Sequence, residues 1–294
     1  MGKISKRHTG CITRIKMQYK LVVVILTYNE EIHIERAIKN VLGFADKIIV
    51  LDSYSQDKTV EIAQQLGTEI IFRKFDDYKN QRQFAIDYCK SITEWMFFLD
   101  ADEYLLEETK SEILKVIKIN NIFGYYINRR AIFMNRWIKY GGYYPCYLLR
   151  LFQPKTAILD EAINEHVTVQ GLVGKLKNDF VDHNLKGITS WTEKHNKYTD
   201  LEAEDLRRAK TYRIKSKGLS FKIQVERKKW VRQNIWNRLP LLSKPFLYFI
   251  YRYFLRFGFM DGKEGLIYHL LQGGWRYFLV DVKYMEMKMK EKNE

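Results

Sequence analysis

The chain has 294 residues, 46% of them hydrophobic and 29% charged, enough apolar material to bury the core of one large domain with an appendage, which excludes disordered and fibrous classes. Its net charge of +15 is uneven: residues 1–20 hold six Lys or Arg and no acid, residues 21–205 hold 23 against 28 acids, and residues 206–294 hold 21 against 7. A basic tail on a mildly acidic body points to a polyanionic partner for the tail, a nucleic acid or an anionic membrane surface, and leaves the chemistry to the body; a merely solvated basic face is the plain alternative.

The basic leader, residues 1–20, carries Lys3, Lys6, Arg7, Arg14 and Lys16 with no apolar segment behind them, so it does not read as a secretory signal. The longest stretch without Asp, Glu, Lys or Arg is the eleven residues Gly265–Trp275, well short of the roughly 20 apolar residues of a membrane-spanning helix. Cys11, Cys89 and Cys146 are odd in number and far apart, which gives neither a disulfide framework nor zinc spacing and fits a reducing cytoplasm.

Leu21 to Leu26 is apolar and mostly β-branched, which predicts a buried strand; polar Thr27–Glu31 and a helical pattern through Ile34, Ile38, Val41 and Leu42 follow. The unit recurs: a strand from Lys47 to Asp52, a turn at Ser53–Asp57, a helix from Thr59 to Leu66 and a strand from Glu69 to Phe72. Asn80 to Ser91 reads as a helix, and Trp95 to Leu99 as a strand that runs into Asp100-Ala101-Asp102-Glu103. Alternating strands and helices predict an α/β fold, a mostly parallel sheet flanked by helices, whose ligands sit outside the carboxyl ends of the strands. Asn29 and Glu30, Asp52, and Asp100 and Asp102 follow three such ends, so the polar groups converge on one edge. From Tyr125 to Leu185 the pattern is more β-like and punctuated by glycine, and Ile188 to Lys215 is helical. The composition then changes, which sets the expected division: a leader at 1–20, a body at 21–215 with halves 21–120 and 121–215, and an amphipathic helical region at 216–294.

Asp100 and Asp102 put two carboxylates on one turn, a pattern that suits Mg²⁺ or Mn²⁺ shared with phosphate oxygens; alone, such a pair also serves as a helix amino-terminal cap. Asp52 is placed to accept hydrogen bonds from a ribose or base, or to close an Asx-turn. Glu165, His166, Asp182 and His183 are donors a zinc hydrolase uses, but adjacent strand residues point to opposite faces and the four do not converge easily.

The strings Val24-Ile25-Leu26-Thr27-Tyr28-Asn29-Glu30-Glu31, Ile49-Val50-Leu51-Asp52-Ser53 with Asp57-Lys58-Thr59, and Phe98-Leu99-Asp100-Ala101-Asp102-Glu103 resemble those of family 2 glycosyltransferases of GT-A (Rossmann-like) fold. That resemblance implies a nucleotide-diphosphate sugar donor, a UDP-sugar first among them, with Thr27, Asn29, Glu30 and Asp52 at the nucleotide, Asp102 on the metal and Asp100 supporting the nucleotide side. Tyr78-Lys79-Asn80-Gln81-Arg82-Gln83-Phe84-Ala85 is similar to the family's Gln-Arg-Asn-x-Ala stretch, with Gln83 where Asn is usual, which makes Arg82 a donor-side candidate. Gly141-Gly142-Tyr143-Tyr144-Pro145 and Leu149-Arg150-Leu151-Phe152 resemble a subgroup related to lipopolysaccharide core glucosyltransferases. Where that subgroup has His-Glu this chain reads Asn164-Glu165-His166. Met17 begins a string like the usual family start, so residues 1–16 read as a dispensable or mis-called leader.

Inverting transfer needs a base for the acceptor hydroxyl. Glu165 is the first candidate, with Asp182 beside His183 the second. Residues 239–282 interleave Phe246, Tyr248, Phe249, Tyr251, Tyr253, Phe254, Phe257 and Phe259 with Arg252 and Arg256, a mixture suited to a bilayer interface or to single-stranded nucleic acid. Gly258-Phe259-Met260-Asp261-Gly262 through Tyr268 resembles the tail of transferases acting on lipid-linked sugars, which favours a membrane over nucleic acid. The expectation is an inverting glycosyltransferase of lipopolysaccharide or polysaccharide assembly, peripheral on the inner face of the cytoplasmic membrane. The rivals are a nucleic-acid-binding protein and a catalytically dead sugar-nucleotide binder.

Overall fold

The apolar run that opens the body becomes a central strand because both of its faces find helices to cover them. The computed structural model describes residues 18–159, 167–211 and 239–293. In it β1 (Tyr19–Thr27) sends Leu21, Val23 and Ile25 into a cluster with Ile34, Ile38 and Val41 of α1 (Ile34–Val41). Val22 and Val24 point the other way, into a second cluster with Ala85, Ile86 and Cys89 of α3 (Tyr78–Cys89). Each such side chain, fully removed from water, contributes roughly 1.5–3 kcal/mol.

Between those helices lie β2 (Lys47–Asp52), α2 (Thr59–Gln65) and β3 (Glu69–Phe72). After them come β4 (Thr93–Asp100), β5 (Glu103–Leu105), α4 (Glu107–Val116), β6 (Gly124–Phe133), β7 (Arg136–Trp137), β8 (Tyr147–Phe152), β9 (Ala157–Leu159), β10 (Val167–Val169) and β11 (Val173–His183). The main sheet runs β3-β2-β1-β4-β8-β6-β11-β5, with β7 on β6. β3, β2, β1 and β4 are mutually parallel, β8 is antiparallel to β4 and β6, and β11 runs parallel to β6. This is the expected α/β architecture. Its register sets Thr27 beside Asp52 and Leu26 beside Asp100, while β5 brings Glu103 against Asp182 at the end of β11.

The helical tail packs on the body as well as facing solvent. α5 (Gly187–Thr211) lies along α8 (Arg276–Asn293), burying Ala203 and Leu206 against Val280 and Tyr284. Between them come α6 (Ser243–Ile250) and α7 (Gly262–His269). The expected boundary at 215 and most of the leader lie outside the described residues. Among the described residues no helix is long and apolar enough to cross a membrane.

Arg252, expected among the lipid-facing cations, is 5% exposed. Its Nε donates to Gly141 O (2.8 Å), and its guanidinium lies 3.5 Å from the Tyr143 ring centre. The reason is that a guanidinium both matches a carbonyl and stacks on an aromatic face. Asp261 grips the same segment, accepting from Lys139 N (3.2 Å) and Tyr140 N (2.8 Å).

Buried His269 sits between Gly141 and Gly258: a Cβ on Gly141, whose φ is +71°, would lie 2.0 Å from the His269 ring, and one on Gly258 2.5 Å from it. Gly141→Ala therefore both strains the backbone and displaces the imidazole, an expected cost of about 2–3 kcal/mol. Thermal melts are expected to show a drop of several degrees, partly restored in Gly141→Ala/His269→Ala. An unchanged melting temperature in the single variant means that this joint does not hold the tail.

Candidate active site

Two loops at the carboxyl edge are stitched together through side chains. Asp52 is fully buried; its Oδ2 accepts from Thr27 Oγ1 (2.8 Å) and Ser55 Oγ (2.6 Å), and its Oδ1 from Ser55 N (2.8 Å). Asn29, at φ +54°, donates from its backbone N to Ser55 Oγ (2.8 Å) and accepts from Gln56 N at Oδ1 (2.8 Å). Glu30 N donates to Thr59 Oγ1 (2.7 Å). A carboxylate with no exposure and both oxygens engaged acts by fixing these loops, so Asp52 closes the turn and orients the cradle around it.

Beside the cradle lies a cluster of acids. Arg150 Nη2 is shared between Asp100 Oδ2 and Glu103 Oε1, each at 2.6 Å, and Glu103 Oε2 accepts from Asp100 N (2.9 Å). Arg82 Nη2 lies 3.6 Å from Asp100 Oδ1. Burial opposes the charge of Asp100, but Arg150 and Arg82 outweigh it and hold the carboxyl below the usual range; for Glu103 burial prevails and raises it. Asp182 is pushed up to about 6 by burial and by Asp102, against the pull of Arg129, whose Nη1 lies 3.3 Å from Asp182 Oδ2.

Asp102 is fixed from the end of β11. Its carbonyl accepts from His183 N (2.9 Å) and from Arg36 Nη2 (3.0 Å), which also donates to His183 O (2.7 Å). Its Oδ2 accepts from Asn184 Nδ2 (2.9 Å). Buried His33 joins the next residues to the loop after β1: its Nε2 accepts from Leu185 N (2.8 Å) and its Nδ1 meets Glu30 Oε2 (2.6 Å). Lys186 Nζ donates to Asn29 O (2.6 Å) and Glu30 Oε1 (2.7 Å).

The structure thus brings together Thr27, Asn29, Glu30, Asp52, Arg82, Asp100, Asp102 and Asp182. Glu165 lies in 160–166, outside the described residues. His183 meets Asn135 Oδ1 at the tip of the β6–β7 hairpin through Nε2 (3.3 Å), and burial with nearby Arg36 lowers its pKa. Strand alternation therefore gives Asp182 and His183 different partners. Arg150, Arg129, Arg36, His33 and Lys186 were missed in the sequence; for Arg150 a signal existed, since a lone arginine in Leu149-Arg150-Leu151-Phe152 demands a buried acid.

No group of three or more His, Cys, Asp or Glu that could hold a metal is found among the described residues. A closed cage is not what a diphosphate-bridging cation needs, because Mg²⁺ takes one or two carboxylates, waters and the phosphates themselves. Asp102, with Oδ1 in no hydrogen bond or ion pair among the described residues and Asn184 orienting Oδ2, fits that role.

The family model described as "Glycosyl transferase family 2" matches residues 22–174. An uncharacterized glycosyltransferase of Rickettsia typhi is 29% identical over 292 residues, covering 93% of this chain and 89% of that protein. Another, from Rickettsia bellii, is 41% identical over 102 residues, 35% of this chain, and the match spans about a third (34%) of that relative's length. Among solved structures, S. aureus TarS 1-349 in complex with UDP-GlcNAc aligns at a TM-score of 0.47 and 13% identity over 91% of this chain and 92% of that one.

Removing Arg150 leaves buried Glu103, and half-buried Asp100 beside it, without their shared cation. Arg150→Met is expected to lower stability by about 3–5 kcal/mol in urea unfolding. A loss below about 1 kcal/mol, within the range of an exposed pair, means that the two acids do not need this arginine.

Proposed function

The chain belongs to glycosyl transferase family 2 and is a glycosyltransferase, and from that premise we propose that it moves a sugar, with inversion, from a nucleoside diphosphate donor to a saccharide on a lipid carrier. A UDP-sugar is the first donor to test, and cell-surface polysaccharide or lipopolysaccharide assembly is the setting. The observation that carries this reading is the acidic edge: Asp100, Asp102 and Asp182 meet at the ends of β4 and β11, beside the stitched loops of Thr27–Glu30 and Asp52–Thr59.

In this reading the loops hold the nucleoside, with Thr27, Asn29 and Glu30 lining the cradle and Asp52 fixing it. Arg82 and Asp100 stand on the donor side. Asp102 would hold Mg²⁺ or Mn²⁺, which when bound offsets negative charge on the departing diphosphate. The acceptor oxygen attacks the anomeric carbon from the opposite face and gives its proton to a carboxylate. Glu165 or Asp182 takes that proton. Burial holds Asp182 above the usual carboxylate range, which suits a proton acceptor.

Asp102→Ala is expected to abolish transfer and the Mn²⁺-dependent part of UDP binding in titration calorimetry run beside GDP, ADP and CMP. Near-normal turnover in that variant removes Asp102 from the metal. Glu165→Gln is expected to keep donor binding and lose turnover; an active Glu165→Gln together with a dead Asp182→Asn moves the base to Asp182.

The lipid-borne acceptor is supported by the tail's surface. Phe246, Leu247, Ile250, Phe254, Leu255, Phe257, Phe259 and Met260 all leave large apolar side chains exposed, beside exposed Arg256 and Lys263. Residues 212–238, outside the described residues, add nine Lys or Arg against one acid. Rings at headgroup depth with cations nearby suit an anionic bilayer. Flotation is expected with vesicles rich in phosphatidylglycerol and is expected to fall at least several-fold in Phe254→Ser/Phe257→Ser. Equal flotation of the variant, or a salt-sensitive RNA mobility shift without flotation, overturns the membrane reading.

A further inference from the structure

Helix α5 spans the acidic edge between two anchors. At its start Asn184, Leu185 and Lys186 bind Asp102, His33 and Glu30. Farther along, Tyr198 Oη lies 3.5 Å from Tyr78 Oη of α3. Tyr78 and Arg82 occupy one strip of α3 at i, i+4, and Lys194 and Tyr198 occupy one strip of α5 at the same spacing. The contact between the two tyrosines brings these strips face to face. Asp100, 3.6 Å from Arg82, lies beneath the α3 strip.

The neighbouring strip of α5 sets the helix's rotation. Trp191 stacks on His195 with ring centres 3.6 Å apart, and His195 Nε2 lies 3.0 Å from Gln272 Nε2 in the tail. Lys194 is thereby kept on the side of the acids.

Lys194 is exposed and makes no hydrogen bond or ion pair among the described residues. Desolvation works against its charge, but Tyr198, Asp102, Tyr78 and Asp100 outweigh it and raise its pKa; Asp182 feels the same ammonium. Lys194 thus turns its charge toward three carboxylates without pairing with any of them, and Arg82 lies on the facing strip of α3.

We propose that Lys194 binds the diphosphate of the sugar donor from the α5 side, opposite Arg82 on α3, and stabilises it as the leaving group. The proposal rests on the nucleoside diphosphate reading above. When the bond from the anomeric carbon to the diphosphate oxygen breaks, its electron pair stays on that oxygen. The acceptor oxygen forms the new bond and its proton passes to the base carboxylate, while Lys194 keeps its own protons and supplies hydrogen bonds and charge.

The test is titration calorimetry of the full chain with UDP and with uridine, in Mn²⁺, for the wild type, Lys194→Met, Lys194→Arg and the exposed α5 control Lys197→Met. Lys194→Met is expected to weaken UDP binding about 10- to 100-fold, the loss of one charge-assisted contact. Uridine binding and the melting temperature are expected to stay unchanged, because Lys194 holds no part of the fold together. Lys194→Arg is expected to recover most of the loss, and Lys197→Met to match the wild type. UDP binding by Lys194→Met at wild-type strength, or equal losses for UDP and uridine, overturns the proposal. A wild type that binds neither ligand overturns the donor reading instead, which keeps the two failures apart.

Discussion

The edge of the sheet depends on one arginine. Arg150 rises from an otherwise apolar strand and donates at 2.6 Å to both Asp100 and Glu103. Without it buried Glu103 and half-buried Asp100 would stand side by side with no cation between them. With it, Asp100 is kept ionised, and Asp102, two residues on, is carried to the mouth of the site. The acids beyond are balanced in the same way, Asp182 by Arg129 and the Asp102 backbone by Arg36. The site is therefore a charge lattice in which few groups can change without disturbing the next.

A second constraint joins the loops after β1 and β2 to the far half of the chain. His33 is buried and takes the Leu185 amide at Nε2 and Glu30 at Nδ1, while Lys186 reaches Asn29 and Glu30. The start of α5 is thus fixed against the loops after β1, across more than 150 positions of sequence. The helix then runs to the tail, where Ala203 and Leu206 pack on Val280 and Tyr284. The tail in turn grips residues 139–141 through Arg252 and Asp261.

This arrangement gives the basic, aromatic tail two roles that its composition blends together. Some of its polar groups are internal struts: Arg252 under Tyr143, Asp261 on two backbone amides, and Lys244 paired with Asp281 at 3.1 Å. Its exposed rings, from Phe246 to Phe259, make up the outer surface. In the sequence both kinds stand interleaved, since a helix alternates its faces every few residues and carries no mark of which face meets its own body.

The sequence by itself determined the strands, helices and carboxyl-edge motifs, because these are local. The run Leu21–Leu26, the strand Lys47–Asp52 and the acids after Leu99 all announce themselves through periodicity, and each lies where it was expected. A parallel sheet then forces Thr27, Asp52 and Asp100 onto one edge, so the convergence of these polar groups was legible in the sequence. Only the tertiary structure decided which charges answer one another. Arg150 with Asp100, Arg129 with Asp182 and His33 with Leu185 are separated by about 50 to 150 positions. Such pairings are fixed by sheet order, crossover and helix docking, and a buried charge acquires its partner only when those have brought the two together.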